Sequence, residues 1–174
     1  MADSQSNHPV ENVGSDAAQS RRMALWLSAA VIATDQLSKW WILVDIMNPP
    51  QVIELTPFFN LVLVWNRGVS FGLFNQASDY GPWILAGLAL AICVFLYFWL
   101  KREDGRWAQW AIGLIIGGAI GNVIDRGIHG AVVDFIDLHA GGHHWPAFNV
   151  ADSAITVGAV ILILDSLFRP RESS

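Results

Sequence analysis

Two aspartates, Asp134 and Asp152, are the residues of this sequence best suited to chemistry. Each lies in a short polar motif beside an apolar segment, the first in residues 133–137 and the second in residues 148–153. A carboxyl group close to hydrocarbon is costly, so two of them at the same membrane face indicate a shared task. Their residue type points to acid–base catalysis.

Two neighbouring carboxyl groups can together hydrolyse a peptide bond. Repulsion between them raises one pKa, so the pair keeps a single proton over a wide pH range and titrates as a unit. The ionised carboxylate takes a proton from water, which attacks the carbonyl carbon, while the protonated one assists the leaving amine. Asp152 lies in the first turn of a predicted helix, and the helix dipole there slightly favours Asp152 as the base.

Each aspartate also has a purely structural explanation. Asp152 fits the start of a helix whose N-cap residue is Asn149. Asp134 fits a strand residue whose carboxylate pairs with Arg126. Either explanation suffices for one residue alone, but the presence of both aspartates at one membrane face favours catalysis.

Four long apolar segments must position these motifs. Of the 174 residues, 53% are hydrophobic and only 14% are charged, which is unlike a soluble domain. We predict membrane-spanning helices at residues 23–44, 83–100, 107–124 and 150–168, because each is close to the roughly 20 residues that cross a hydrocarbon layer. The predicted fold is an α-helical membrane protein with four transmembrane helices.

The basic residues set the orientation of these helices. With four spans, seven of the ten Lys and Arg residues fall on one side, which the positive-inside rule makes cytoplasmic. Both termini are then cytoplasmic, and the two aspartates lie at the outer face. The seven residues are Arg21, Arg22, Lys101, Arg102, Arg106, Arg169 and Arg171.

The chain divides into one membrane domain and two tails. Residues 1–22 are polar and predict a disordered cytoplasmic tail, residues 23–168 form the membrane domain, and residues 169–174 form a short cytoplasmic tail. The start of the first span also resembles a signal peptide with a cleavage site near Ala33. The apolar stretch continues through residues 40–44, which favours a retained span.

The two outer connections contain strand patterns. Residues 45–82 are too many for a simple loop, and their runs at 52–55 and 58–65 are rich in β-branched and aromatic residues. Residues 132–138 predict a further strand. We interpret these as a small extracytoplasmic β platform, with the apolar residues 69–75 as an interfacial segment on the membrane surface.

Five blocks of the sequence, in this order and topology, resemble a known family. They are similar to the signature motifs of the lipoprotein signal peptidases, also called signal peptidase II, a family of bacterial aspartyl membrane endopeptidases. The resemblance extends over roughly residues 25–168. The blocks are residues 35–39, 66–72, 121–126, 133–137 and 148–153.

This resemblance implies a role for each residue of the motifs. It implies that Asp134 and Asp152 are the catalytic dyad. It implies substrate-binding roles for Asn66, Gly68, Asn122, Arg126 and Asn149. Structural support of the site is implied for Asp35, Lys39 and Asp125.

The family removes signal peptides from prolipoproteins by cleaving on the N-terminal side of a cysteine that carries a diacylglyceryl group. The resemblance implies the same substrates here, with membrane lipid around them. We expect no cofactor, no metal and no nucleic-acid partner. We also expect a monomer in the bacterial inner membrane, with its active site at the outer face.

A metal-dependent hydrolase or a divalent-metal carrier is the first alternative. The histidines and aspartates of the second outer connection offer nitrogen and oxygen ligands. However, Gly141-Gly142 makes the histidine segment flexible, and the sequence has no His-Glu-x-x-His motif. Sensitivity to a chelator would distinguish a metal-dependent protein from an aspartate dyad, which needs no metal. The candidate ligands are Asp134, Asp137, His139, His143, His144 and Asp152.

Two further alternatives use the aspartates differently. A proton-coupled transporter would need ionisable groups through the whole membrane depth, beyond Asp35 and Lys39, and the second predicted span has none. A non-catalytic scaffold would keep its function after Asp134→Asn.

Overall fold

The computed structural model describes residues 10–68 and 80–168. A short π-helical turn, Ile42–Ile46, follows the first helix. In chain order the other elements are α1 (Val10–Trp41), β1 (Ile53–Thr56), β2 (Phe59–Asn66), α2 (Gly81–Arg102), α3 (Arg106–His129), β3 (Val132–Ala140), β4 (His143–His144) and α4 (Val150–Phe168).

Three of the described helices, α2, α3 and α4, are long and apolar enough to cross a membrane. They correspond to the second, third and fourth predicted spans, so a mainly helical membrane fold with a small sheet is confirmed. Polar residues near the end of α1, such as Asp35, Gln36 and Lys39, lower its mean hydropathy. The first span and the orientation of the termini therefore stay predictions.

Helix α1 begins earlier than the sequence suggests. It starts at Val10, so the prediction of disorder is wrong for residues 10–22. A helix that has already formed is extended at little cost, and tertiary contacts hold this extension. Ala17 is buried, and Arg21 Nη1 donates a hydrogen bond of 2.8 Å to the carbonyl oxygen of Lys101 at the end of α2.

Helix α3 is the central element and packs against the three other helices. Its glycines allow the backbones to approach closely, which holds helices together where lipid supplies no hydrophobic force between them. A Cβ atom at Gly117 would lie 2.8 Å from the carbonyl oxygen of Ser28 in α1, and one at Gly118 would overlap the carbonyl oxygen of Ala151 in α4. Helix α3 thereby fixes α1 and α4 at its two sides.

Large apolar side chains cover the outside of α2 and α4. A continuous apolar surface of this kind marks a membrane interaction. Because α2 and α4 satisfy their own backbone hydrogen bonds, lipid can surround them without loss. The exposed residues include Leu88, Val94, Phe95 and Phe98 of α2, and Val157, Val160, Ile163 and Leu164 of α4.

The four strands form one antiparallel sheet in the order β1-β2-β3-β4. The three predicted strands are confirmed, and the pairing of β2 with β3 places Val64 opposite Asp134. Strand β4 was not predicted, because we interpreted Gly141 and Gly142 as a flexible loop. They instead form a tight turn, with φ angles of 57° and 82°. The predicted interfacial segment, residues 69–75, lies outside the described residues.

Two backbone features bring α4 beside β3. Helix α3 is followed at its C-terminus by Gly130, whose φ of 67° lies in the left-handed region, so the chain turns directly into β3. After β4 the chain returns along β3, where Phe148 N–H donates to the carbonyl of Ile136 at 3.1 Å and Ile136 N–H donates to that of Phe148 at 2.9 Å. The start of α4 therefore lies next to the middle of β3.

Candidate active site

Asp134 is buried in β3, with 1% of its surface exposed. Its Oδ2 accepts a hydrogen bond of 3.0 Å from Asn66 Nδ2, and its Oδ1 accepts one of 2.7 Å from Asn149 Nδ2. Burial raises the pKa of Asp134 to about 6, and the negative charge of Asp152 adds to this rise. The two amide donors and the charge of Lys39 oppose it. Asp134 is therefore suited to hold a proton in mildly acidic solution.

Asp152 lies in the first turn of α4 and is half-buried. Its Oδ1 accepts a hydrogen bond of 2.7 Å from Asn122 Nδ2, and its Oδ2 accepts one of 3.3 Å from the backbone N–H of Asn149. In return, Asp152 N–H donates to Asn149 Oδ1 at 2.9 Å. This reciprocal pair is a capping box with aspartate in place of the usual glutamate. The predicted N-cap role of Asn149 is confirmed.

The Asn149 side chain joins the two aspartates. Its oxygen is held by Asp152 N–H, so its amino group faces Asp134. The same amino group lies 3.2 Å from the carbonyl oxygen of Val133 and 3.2 Å from Asn122 Oδ1. Asn149 is fully buried. The structure thus brings the two predicted catalytic residues to opposite sides of one asparagine.

Asn122 performs a similar task from the end of α3. Its Nδ2 donates to Asp152 Oδ1, while its Oδ1 accepts hydrogen bonds from Lys39 Nζ at 3.1 Å and from Asn149 Nδ2. The polar atoms of both asparagines are therefore bound within the protein. Their substrate-binding role stays a prediction, and their contacts show that they orient the carboxyl groups.

Arg126 lies one helical turn beyond Asn122. Its Nη1 donates a hydrogen bond of 3.3 Å to the carbonyl oxygen of Asn122, and its Nε is buried without a hydrogen-bond partner among residues 10–68 and 80–168. Within the same residues Arg126 forms no ion pair with Asp134, although a purely structural role of Asp134 would involve one. Its charge nevertheless acts on both Asp134 and Asp152. Among these described residues, the Nε–H group of Arg126 therefore has no acceptor.

Asn66 is the last residue of strand β2 at the site, and Gly68 lies in the turn that follows. Asn66 Nδ2 donates to Asp134, and Asn66 Oδ1 accepts a hydrogen bond of 2.8 Å from Gly68 N–H. Gly68 has a φ of 80°, and a Cβ atom there would overlap the side chain of Leu85. The backbone turn therefore explains this glycine, and its substrate-binding role stays a prediction.

The three predicted supporting residues meet behind the dyad. Lys39 Nζ lies 2.8 Å from Asp35 Oδ2 and 2.8 Å from Asp125 Oδ2, and all three residues are buried. Gln36 was not predicted to take part, yet its Nε2 donates to Asp125 Oδ1 at 2.9 Å. Spacing offers a signal for it, because Gln36 and Lys39 lie three residues apart on one helix face.

The histidines of the second outer connection form a separate cluster. His144 Nδ1 lies 2.9 Å from both carboxylate oxygens of Asp137, and the rings of His139 and His144 stack with their centres 4.9 Å apart. The hydrogen bond with His144 lowers the pKa of Asp137, and Asn60 adds a second one of 2.9 Å. In the described part of the chain, no three His, Cys, Asp or Glu side chains converge as metal ligands would.

The geometry is suited to acid–base hydrolysis. Two carboxyl groups lie close enough for the charge of one to act on the other. One is buried in a strand and the other lies at a helix start, and each is oriented by amide donors. Differing environments of this kind give two carboxyl groups the separate roles of acid and base. The guanidinium of Arg126 adds donors beside them.

Comparison with known families decides the identity. A family profile described as "Signal peptidase (SPase) II" matches residues 27–168. The chain belongs to the signal peptidase II family. The matched region contains every residue of the candidate site described above.

Individual relatives agree with the family match. The chain is 48% identical over 149 residues to a lipoprotein signal peptidase of Methylorubrum extorquens (strain PA1), covering 84% of this chain and 86% of the relative. It is 50% identical over 152 residues to that of Burkholderia multivorans (strain ATCC 17616 / 249), covering 86% and 91%. This signal peptidase II therefore has relatives of nearly its full length.

Two solved structures share its fold. Both are described as bacterial membrane enzymes determined by the in meso method. The first has a TM-score of 0.75 at 28% identity, covering 85% of this chain and 94% of the other. The second has a TM-score of 0.72 at 27% identity, covering 87% and 94%. With its family and its apolar helices, this signal peptidase II is an aspartic endopeptidase of the bacterial inner membrane.

Proposed function

We propose that this signal peptidase II removes signal peptides from prolipoproteins, cutting on the N-terminal side of a diacylglyceryl-modified cysteine. Its relatives carry the name lipoprotein signal peptidase, which supports this class of substrate. The observation that carries the chemical part of the proposal is the pair of aspartates joined by Asn149. Asp134 is buried with a raised pKa, while Asp152 lies at the start of α4.

In this mechanism Asp134 is the acid and Asp152 the base. Asp152 takes a proton from water while the water oxygen forms a bond to the scissile carbonyl carbon, and the π electrons move onto the carbonyl oxygen. When the C–N bond breaks, the carbonyl re-forms and the amine nitrogen takes the proton from Asp134. The single proton of the dyad is then on Asp152, and exchange with water returns it to Asp134.

The residues around the dyad bind the peptide. Arg126 donates guanidinium N–H groups to carbonyl oxygens of the substrate, in charge-assisted hydrogen bonds. Asn66 and Gly68 contact the substrate at the end of β2, and Asn122 and Asn149 line the site between them. No cofactor and no metal ion takes part.

We infer that α1 contains the first of the four predicted spans, that both termini are cytoplasmic and that the site faces outward. The hydrogen bond between Arg21 and Lys101 supports this, because it joins two basic segments that were predicted to lie on the same side. Lys39 and Asn122 contact each other near the C-terminal ends of α1 and α3, away from these basic segments. The lipid of the substrate cysteine stays in the outer leaflet, next to the dyad, and the enzyme acts as a monomer.

The test is cleavage of a diacylglyceryl-modified prolipoprotein peptide by the purified enzyme in detergent. We expect Asp134→Asn and Asp152→Asn each to lower kcat by about 1,000-fold or more, because each removes a proton-transfer group. EDTA should have no effect. The same peptide without the diacylglyceryl group should be cleaved poorly.

Asp137→Asn is the matched control, because Asp137 is also a buried aspartate of β3 but contacts Asn60 and His144. It should keep kcat within about threefold of wild type. Full activity in a folded Asp134→Asn or Asp152→Asn variant would refute the dyad. Loss of activity with EDTA would move the chemistry to a metal held by the histidine cluster.

A further inference from the structure

Lys39 is connected to both catalytic segments at once. We infer that Lys39 is a positioning residue for the catalytic aspartates Asp134 and Asp152. It sets their distance and orientation through the carboxylates of Asp35 and Asp125. The inference rests on the proposed two-aspartate mechanism. It gives these three residues a role beyond general support of the scaffold.

The ammonium group of Lys39 is fully bound. Its three N–H groups have three acceptors: Asp35 Oδ2 at 2.8 Å, Asp125 Oδ2 at 2.8 Å and Asn122 Oδ1 at 3.1 Å. The Lys39 side chain is only 3% exposed. No donor is left for a substrate, so Lys39 acts through its three partners.

Each carboxylate partner also holds the backbone next to a catalytic residue. Asp35 Oδ1 accepts a hydrogen bond of 2.9 Å from the N–H of Ala151, which directly precedes Asp152. Asp125 Oδ2 accepts one of 3.0 Å from the N–H of Val133, which directly precedes Asp134. One cation thus fixes the backbone of both catalytic segments relative to α1.

The third acceptor sets the orientation of an amide. Because the Asn122 oxygen faces Lys39, its amino group must face Asp152, where it donates at 2.7 Å. Without the ammonium group, the Asn122 oxygen would keep only its longer contact with Asn149 Nδ2, at 3.2 Å, so the amide would be held less firmly. Lys39 therefore controls Asp152 by two routes, through Ala151 N–H and through Asn122.

The cluster is closely packed and poorly suited to a purely stabilising role. A Cβ atom at Gly121 would lie 2.6 Å from Asp35 Oδ2, so glycine is needed to seat this carboxylate. Two buried carboxylates share one buried ammonium, and buried ion pairs recover their desolvation cost only with complete hydrogen bonding. Such an arrangement contributes accurate position more readily than stability.

Lys39→Met tests the inference in the purified enzyme, since methionine keeps the chain length and removes the ammonium group. We expect kcat to fall by about 100-fold, as a displacement of about 1 Å can cause, with KM within threefold of wild type. The variant also removes a positive charge near Asp134. The charges of Asp152 and Arg126 act on the Asp134 carboxyl as well and remain in the variant. The pH at which kcat/KM declines should therefore rise by about 0.5–1 unit.

A matched pair of variants at Asp125 separates position from charge. Asp125→Asn and Asp125→Leu both remove the negative charge and leave the Lys39–Asp35 pair intact. Only asparagine retains an oxygen for Val133 N–H. We expect kcat for Asp125→Asn to exceed that for Asp125→Leu by at least about tenfold. Equal kcat values would overturn the positioning role.

If Lys39→Met does not fold, a variant in which all three residues of the cluster are uncharged still tests the inference. The triple variant Lys39→Met, Asp35→Asn, Asp125→Asn leaves no unpaired buried charge, keeps both backbone acceptors and lacks only the link between them. We expect its kcat to be at least about tenfold below wild type. Wild-type kcat in this variant, or in a folded Lys39→Met variant, would overturn the inference.

The same assay includes Asp134→Asn, so failure of the two-aspartate mechanism can be distinguished from failure of the positioning role of Lys39. If Asp134→Asn is active, the two-aspartate mechanism itself is wrong. If Asp134→Asn is inactive while the Lys39 variants keep full kcat, the dyad stands and the positioning role fails.

Discussion

At the scale of single residues, the proton of Asp134 links catalysis to folding. An unfolded chain gives this carboxyl group an ordinary pKa, near 3.8, whereas burial raises it to about 6 in the folded protein. The folded state therefore holds the proton more tightly than the unfolded state. The contribution of Asp134 to stability is greatest below about pH 4 and is lost as the pH rises through 6.

This loss predicts a pH-dependent difference between wild type and Asp134→Asn. Other titrating groups are shared by the two proteins, so their effects largely cancel. Relative to Asp134→Asn, wild type should lose roughly 2–3 kcal/mol of stability between pH 4 and pH 7. Thermal unfolding of both proteins in detergent at several pH values measures the difference. A difference that stays constant across this range would mean that folding does not raise the pKa of Asp134.

The sequence could identify the aspartates but not how they are held. Their motifs predicted a dyad and an N-cap at Asn149, and the structure brings these residues together. The contacts of Asp125 and Asp35 with the backbone N–H groups of Val133 and Ala151 could not be predicted. Such contacts involve main-chain atoms of distant segments, which every residue type offers equally.

At the scale of secondary-structure elements, the contact between α3 and α4 determines where Asp152 lies. The contact passes through Gly118, which meets the backbone of Ala151 in the first turn of α4. An added methyl group would have to move backbone, which cannot yield as a flexible side chain does. A packing change in the helix pair thus becomes a displacement of the catalytic carboxylate.

We therefore predict that Gly118→Ala lowers both stability and activity. Overpacking of about 1–3 kcal/mol should lower the thermal midpoint by about 2–12 °C, and kcat should fall at least about tenfold. Gly87→Ala is the matched control, because a Cβ atom at Gly87 in α2 meets nothing within 4 Å. It should be neutral or slightly stabilising. If the two variants behave alike, the close contact at Gly118 does not constrain α4.

Apolar length predicted the three helices that are long and apolar enough to cross a membrane, and β-branched and aromatic runs predicted β1, β2 and β3. The helical extension from Val10 and the strand His143–His144 were missed for related reasons. The first has a polar sequence and is held by contacts such as the hydrogen bond from Arg21. The second depends on pairing with β3. In both cases tertiary contacts overrode a local pattern that indicated disorder or a loop.

At the scale of the whole molecule, the proposed topology predicts which segments a membrane-impermeant reagent can reach. Cys93 is the only cysteine, so Cys93→Ser provides a background for single cysteines. In spheroplasts, an impermeant maleimide should label His143→Cys on the outer sheet. It should label Asp104→Cys, in the connection between α2 and α3, only after the membrane is broken. Both positions are exposed in the structure.

Either of two outcomes would contradict the topology. Labelling of Asp104→Cys in intact spheroplasts would place the α2–α3 connection outside. Labelling of His143→Cys only in broken membranes would place the sheet inside. Retained peptidase activity of each labelled variant would show that the cysteines have not disturbed the fold.

The pairing of β2 with β3 has a consequence for biosynthesis. Asn66 leaves the ribosome well before its partner Asp134, and Asn149 and Asp152 follow on the last helix. No growing chain can possess a complete site until α4 has been synthesised and has entered the membrane beside α3. A nascent chain shorter than this is unable to cut peptides near the translocation machinery. The protease thus becomes active only when its own insertion is finished.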